Sequence, residues 1–273
     1  RGMDVGTAKV TREEMDGIPH HMIDVAEPWE SFSAARYVEM ADPILQDILS
    51  RGKKAIIAGG TGLYVDALIA GRTFAPYPET GRRQALEQEA EKLGMEHMLS
   101  RLRAVDPDSA SRLHLADRKR IIRALEVWYD TGQTISQHNR QTQTQPPRYQ
   151  GVTIALTYRD RQDLYQRIDQ RVDQMMARGL AEEVRALLAA GIPRTSTAMQ
   201  AIGYKELVRA LDAGGDLAPA VEEIKRRSRQ YAKRQLTWFR RKEDTEWILL
   251  DKMQDFSSVV QISTDYLREK GLP

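Results

Sequence analysis

Residues 54–64 read Lys-Ala-Ile-Ile-Ala-Gly-Gly-Thr-Gly-Leu-Tyr, and the reading of this stretch decides the fold class. Ala55, Ile56, Ile57 and Ala58 form an apolar run of the length of a short buried strand. Gly59, Gly60, Thr61 and Gly62 then make a turn, and Leu63, Tyr64, Val65, Asp66, Ala67 and Leu68 open a helix. Strand, glycine-rich turn and helix is the order in which backbone N–H groups and the positive end of a helix dipole face an anion. Two further apolar runs, at 153–156 and 247–250, have the same strand character, and long helical patterns separate the three. That alternation predicts an α/β fold on a parallel sheet.

The helical patterns have legible ends. Residues 33–49 fit a helix with Ser33 as N-cap and Gly52 just past its end. Between 163 and 190, Leu164, Ile168, Val172, Met175, Leu180, Val184 and Leu187 recur at helical spacing, Gly179 marks a break, and Gly191 with Pro193 supplies a stop. Residues 76–147 differ from their surroundings. They open on Pro76-Tyr77-Pro78, close on a Gln/Thr-rich run and Pro146-Pro147, and have helical periods in Leu86, Leu93, Met98 and Leu102, then Ile121, Leu125 and Trp128. The expected division is a core α/β domain in two parts, 1–75 and 148–273, the second ending in a basic helix, with a helical insertion at 76–147.

Composition sets the outer bounds. The chain has 273 residues, enough for one large or two modest domains with a real core. It has no cysteine, which excludes disulfides, thiolate metal sites and a cysteine nucleophile. Its apolar runs are too short to span a bilayer, and nothing at its start resembles a signal peptide, so a cytoplasmic, membrane-free protein is expected, as a monomer. The five histidines lack zinc-ligand spacing. Net charge is only +2, but nine Lys or Arg and no Asp or Glu lie between residues 225 and 242. A basic block in a nearly neutral chain is a local patch for a phosphate backbone.

Each motif has a functional and a plainer reading. Thr61 can hydrogen-bond a diphosphate oxygen or cap the next helix, and the glycines around it can admit an anion or only a tight turn. Asp4, Thr7 and Lys9, in a loop with Gly2 and Gly6, can read a base edge and a phosphate or lie on a solvated surface. Arg167 and Arg171, one helical turn apart, can clamp a diphosphate or pair with Asp163, Asp169 or Asp173. Lys119, Arg120 and Arg123 form a basic turn leading into an apolar face, with Glu126 as the alternative partner. In the 225–242 block, Arg226, Arg229, Lys233 and Arg240 lie roughly along one side, and a stripe without intervening acids is unlike a salt-bridged surface helix. Tyr231, Trp238 and Phe239 read there as core anchors.

Taken in order, these segments resemble one family, the tRNA dimethylallyltransferases of bacterial type. The resemblance rests on Gly-Met-Asp-Val-Gly-Thr-Ala-Lys at 2–9, Gly-Gly-Thr-Gly-Leu-Tyr at 59–64, Arg-Ala-Leu-Glu-Val at 123–127, Arg-Ile-x-x-Arg at 167–171, Ile-Gly-Tyr at 202–204 and Gln-Leu-Thr-Trp-Phe-Arg at 235–240. It implies a P-loop NTPase-like core with a mostly helical insertion. It also implies transfer of a dimethylallyl group from its diphosphate to N6 of adenosine 37 in tRNAs that read codons beginning with U, with Mg²⁺ as cofactor and the anticodon stem-loop as partner.

By the same resemblance Gly59, Gly60, Thr61 and Gly62 bind the diphosphate, and Thr61, Arg167 and Arg171 serve catalysis. Asp4, Thr7, Lys9, Lys119, Arg120, Arg123, Gln200, Tyr204, Lys205, Arg226, Arg229 and Lys233 then contact tRNA. Some family members have Arg at the place of Gln200. The family's Gly-x-x-x-x-Gly-Lys-[Ser/Thr] loop is not found in these residues. The resemblance places it and the general-base Asp before Arg1, in a strand–loop–helix unit of roughly forty residues. The competing readings are a P-loop kinase for a small molecule or nucleotide, and a catalytically inactive RNA-binding fragment.

Overall fold

In the computed structural model, which describes residues 1–74, 80–143, 146–252 and 255–272, the first regular element is helix α1 (Ala34–Ser50). Ser33 caps it, its hydroxyl accepting the Arg36 N–H at 3.2 Å. Gly52, at φ +68, ends it and donates its N–H to the Leu49 carbonyl at 2.9 Å. Helix α2 (Gly62–Ala70) begins inside the glycine-rich turn. The approach to that turn departs from the expected strand. Residues 53–59 have no regular structure, and Ile56 is 91% exposed. A strand needs a neighbour to take its N–H and C=O groups, and none of the described strands lies beside this run; β1 and β2, introduced below, pair with each other.

The chain forms two compact units, one from Arg1–Leu68 with Gln150–Pro273 and one from Ile69–Tyr149. The expected insertion edges at Pro76, Tyr77, Pro78 and Gln145 lie outside the described residues.

The 69–149 unit is helical: α3 (Arg82–Val105), α4 (Pro107–Ala110), α5 (Arg118–Thr131) and α6 (Ile135–Gln143). Leu86, Ala90, Met98 and Leu102 of α3 close on Ile121, Ile122, Ala124 and Leu125 of α5. Leu93, expected on this apolar face, is 58% exposed instead. Gly94 explains the difference: at φ +83 and ψ 167 it breaks α3 and resets the phase of the helix. Asp106, buried between α3 and α4, ties the unit together. Its carboxylate accepts the Ser109 and Ser136 hydroxyls at 2.7 and 2.6 Å and their N–H groups at 3.0 and 3.2 Å.

The other unit continues with β1 (Thr153–Thr157), α7 (Arg161–Ala177), α8 (Leu180–Ala189), α9 (Tyr204–Asp212), α10 (Ala218–Phe239), β2 (Thr245–Leu249) and α11 (Phe256–Glu269). β1 and β2 pair in parallel from Thr153 opposite Thr245 to Thr157 opposite Leu249. Parallel partners need a long crossover, and α7 to α10 provide it. Gly179, at φ +95, separates α7 from α8. The two helices fold with α9 and α10 onto a core of Val172, Leu180, Val184, Leu187, Met199, Leu207 and Ile224. Among the described residues no helix is long and apolar enough to cross a membrane.

The Asp106 network makes a testable statement about acid stability. Burial alone would raise the Asp106 pKa, but the hydrogen bonds from Ser136 and Ser109 outweigh it and hold the carboxyl below its usual range. A lowered folded-state pKa contributes stability that is full above the unfolded value, near pH 4, and is lost as pH falls through the folded one. Asp106→Ala should cost about 2–3 kcal/mol at pH 7. Thermal melts from pH 7 to pH 3 should show a shallower acid-side loss for the variant than for the parent; parallel curves would contradict the assignment.

Candidate functional site

The glycine-rich turn at 59–62 rests on helix α10. Tyr231, Gln235 and Trp238, spaced i, i+4 and i+7, share one face of that helix and meet the turn. The Thr61 hydroxyl lies 3.2 Å from the Tyr231 hydroxyl, so it does not cap α2. The Thr61 carbonyl instead accepts the Tyr64 N–H at 2.8 Å. A Cβ on Gly60 would fall on the Gln235 amide, and one on Gly62 on the Trp238 indole. Gly62 is thus required by packing against α10, whereas the Gly60 clash is with the movable end of a side chain. The Trp238 indole N–H donates to Asp66 of α2 at 2.7 Å, and Lys242 pairs with the same carboxylate at 2.5 Å. Tyr64 stacks on Tyr37 of α1 with ring centroids 4.8 Å apart. Thr61 itself stays exposed at the outer edge of this seat.

The opening loop is built as closely. The N–H groups of Asp4 and Val5 each donate to Glu183 Oε2 at 2.7 Å, and that of Gly6 to Oε1 at 3.1 Å. The Tyr204 hydroxyl donates to the same Oε1 at 2.5 Å. Gly6 has no room for a Cβ, which would meet the Tyr204 ring. Tyr204 is fully buried, and burial, then its bond to Glu183, pushes its pKa far up. That placement corrects the expectation of a tRNA contact: no face of Tyr204 is open to RNA. Thr7 donates to the Met3 carbonyl at 2.6 Å. Lys9 bridges Asp4 and Asp24, its contact with Asp24 being 2.5 Å, and these bonds outweigh desolvation and raise its pKa. The Asp4 side chain remains 63% exposed.

Helices α7 and α10 redistribute the basic block. Asp169 of α7 takes Arg229 in a two-pronged pair at 2.6 and 2.7 Å, and Asp173 takes Lys225 at 2.8 Å. Arg226 and Arg227 both bind Glu223, whose carboxyl they hold down to about 2. With Lys242 on Asp66, five of the nine cations pair with carboxylates. The acid-free block is therefore a salt-bridged surface over half its length, because its partners lie just before it and across on α7. Lys233, Arg234, Arg240 and Arg241 are exposed and carry no carboxylate partner among the described residues. Arg229, expected to face tRNA, is instead half-buried against Asp169 and over the Tyr165 ring.

Because α10 takes Asp169 and Asp173, the arginines of α7 are left without them. Arg167 and Arg171 are exposed, with no ion pair among the described residues. At about 100° per residue they lie on the side of α7 away from Asp169 and Asp173. No described hydrogen bond joins them to the 59–62 turn. In the 69–149 unit, Lys119 and Arg120 are exposed, Arg120 lying 3.7 Å from Asp117. Arg123 is drawn inward to the buried Glu126 at 2.7 Å, where Arg83 joins it at 3.1 Å. Gln200 is exposed and donates to the Arg194 carbonyl at 2.8 Å, and Lys205 is half-buried.

Glu183, Gln235 and Asp66 were not singled out in the sequence. Glu183 left one signal: it shares the apolar stripe of Leu180, Val184 and Leu187, where a carboxylate needs donors. No set of three His, Asp or Glu side chains converges among the described residues, and Asp66, four residues past Gly62, is already taken by Trp238 and Lys242. These residues do not by themselves build a Mg²⁺ site.

Comparison with known proteins places this architecture. The sequence model of the IPP transferase family matches residues 1–242. The tRNA dimethylallyltransferase of Desulforamulus reducens is 45% identical over 273 residues, covering 98% of this chain and 96% of its own. The full-length tRNA isopentenylpyrophosphate transferase of Bacillus halodurans superposes with a TM-score of 0.70 at 40% identity, over 99% of this chain and 84% of that one. A eukaryotic dimethylallyltransferase, solved in snapshots of its action on tRNA, gives a TM-score of 0.76 at 27% identity, over 98% and 70%. The fold is thus the α/β, P-loop NTPase-like one with a small parallel sheet. The chain belongs to the IPP transferase family.

The two glycines of the turn should respond differently to substitution. Gly62→Ala places a methyl on the Trp238 ring and should cost about 1–3 kcal/mol in a chemical melt. Gly60→Ala meets only the flexible end of Gln235 and should cost less than about 1 kcal/mol. Equal losses would contradict the seating of the turn on α10.

Proposed function

We propose that this chain transfers a dimethylallyl group from dimethylallyl diphosphate to N6 of adenosine 37 in tRNAs that read codons beginning with U. The observation that carries the reading is one helix serving two surfaces. One face of α10 seats the 59–62 turn, while Lys233 and Arg234 on the helix and Arg240 and Arg241 just past its end are exposed without carboxylate partners among the described residues. Family membership supports the reading, since the relatives are tRNA dimethylallyltransferases and a structural neighbour acts on tRNA. A P-loop kinase would share a phosphate-binding turn, but it has no use for four uncompensated cations along a helix.

The chemistry assigns roles to these residues. The adenine N6 lone pair is delocalised into its ring, so the amine needs close positioning and loss of a proton as the new C–N bond forms. The C–O bond to the diphosphate breaks and charge builds on the leaving oxygens. The N–H groups of the turn and the Thr61 hydroxyl meet that charge, and Arg167 and Arg171, without carboxylate partners among the described residues, supply cations for it. Adenosine 37 must leave its stacked anticodon loop to reach the donor. Asp4 in the opening loop, with Lys119, Arg120, Gln200, Lys205, Arg226 and Lys233, provides contacts to the RNA. The Mg²⁺ expectation rests on diphosphate chemistry, in which phosphate oxygens hold much of the ion's shell; no side chain of this chain is assigned to it.

The test is transfer from labelled dimethylallyl diphosphate to an anticodon stem-loop, with A37 present or replaced by G, using the full-length protein. Label should enter the A37 stem-loop alone. Arg167→Ala and Arg171→Ala should lower kcat by about 10²–10³, while stem-loop affinity stays within about threefold. Absence of label from both stem-loops with folded protein, or a loss confined to RNA affinity, would overturn these roles.

A further inference from the structure

Three successive backbone N–H groups, those of Asp4, Val5 and Gly6, point at one place, the arrangement that forms an anion-binding nest. Here the anion belongs to the chain. Glu183, from the first turns of α8, fills the nest with both carboxylate oxygens and receives the buried Tyr204 hydroxyl as a further donor. Glu183 is half-buried and has no Lys or Arg partner among the described residues, so N–H and O–H groups alone satisfy it. Gly6 is locked against the Tyr204 ring, which admits no Cβ there. Met3 and Val5 pack on the core of α7 to α10 from the same side.

The outer side of the loop is fixed independently. Lys9 spans Asp4 and Asp24, and Ala8 and Asp24 hold left-handed backbone, at φ +49 and +55, that non-glycine residues rarely adopt. Strain of this kind persists only where the surroundings over-determine it. The Asp4 carboxylate, held by Lys9 through Oδ1, is still 63% exposed and is the one exposed side chain of the Asp4–Val5–Gly6 turn.

We propose that Glu183 is a positioning residue for RNA recognition: by filling the nest with Tyr204 behind it, it fixes the backbone of residues 4–6 so that Asp4 is presented to the adenosine loop. The proposal rests on the reading of the opening loop as an RNA contact. Glu183 touches no substrate. It makes the loop rigid before RNA arrives, so the ordering cost is met in folding and not in binding.

The test reads the loop and the reaction separately. In Glu183→Ala, amide exchange at Asp4, Val5 and Gly6 should accelerate at least about tenfold, while amides within α9 keep their protection. The KM for an anticodon stem-loop should rise at least about tenfold, with the KM for dimethylallyl diphosphate unchanged. Glu183→Gln, which keeps one acceptor oxygen, should restore much of both. Tyr204→Phe, which removes only the hydroxyl and leaves the core ring, should move both in the same direction by a smaller factor and guards against a folding failure of the alanine variant. Unchanged exchange in Glu183→Ala and Tyr204→Phe would overturn the clamp itself. Faster exchange with an unchanged stem-loop KM would leave the clamp standing and overturn its role in RNA recognition. A change in stem-loop KM matched by an equal change in the donor's KM would show a general structural defect and overturn the positioning role.

Discussion

The seating of Trp238 on Gly62 is the contact on which the site depends. The indole covers a glycine that cannot carry a side chain, and its N–H is tied to Asp66 on the helix that the glycine begins. Lys242 closes the same carboxylate from beyond the end of α10. The turn and the start of α2 are therefore fastened to α10 by packing, a hydrogen bond and an ion pair. On the proposed reading, the diphosphate would meet a turn whose backbone is already held by an aromatic ring and an ion pair. Across α10, Arg229 and Lys225 fasten α7 through Asp169 and Asp173. One helix thus sets the turn on one face and α7 on another.

This use of α10 changes how its charge should be counted. Formal positive charge on a helix is spent first on whatever carboxylates the fold brings near it, and only the remainder acts on a partner. Lys225, Arg226, Arg227, Arg229 and Lys242 are spent in this way to differing degrees. Exposed pairs such as Arg226 with Glu223 are weak in water and can exchange for a phosphate. The half-buried, two-pronged Arg229 pair is structural. Lys233, Arg234, Arg240 and Arg241 are the remainder, and they lie outward along the helix and just past its end.

Much of the helical scaffold was legible in the sequence because its signals are local. Ser33, Gly52 and Gly179 mark helix ends through their own hydrogen bonds and dihedral angles, and the apolar runs at 153–156 and 247–250 read as short strands, overlapping the observed Thr153–Thr157 and Thr245–Leu249. The α/β class followed from those. The errors have non-local causes. Residues 55–58 have the composition of a strand, yet strand formation depends on a neighbour. Leu93 sits at the right spacing, yet Gly94 resets the helix after it. The partners of the basic block could not be seen within the block, since Asp169 and Asp173 lie more than fifty residues earlier in the chain. Glu183 and Tyr204 meet the opening loop over about 180 and 200 residues, a distance no spacing rule covers.

The division of the 225–242 cations into those paired with carboxylates and those without a carboxylate partner among the described residues is read out by the salt dependence of anticodon stem-loop binding. The slope of log Kd against log salt counts the phosphates neutralised, at about 0.7 per contact for single-stranded and 0.9 for duplex nucleic acid. Lys233→Ala, Arg234→Ala and Arg240→Ala together should weaken binding and reduce the slope by about two to three units, with little loss of stability. Arg229→Ala should do the reverse, lowering stability and leaving the slope in place. A slope that is unmoved by the triple variant, or that falls with Arg229, would contradict the account.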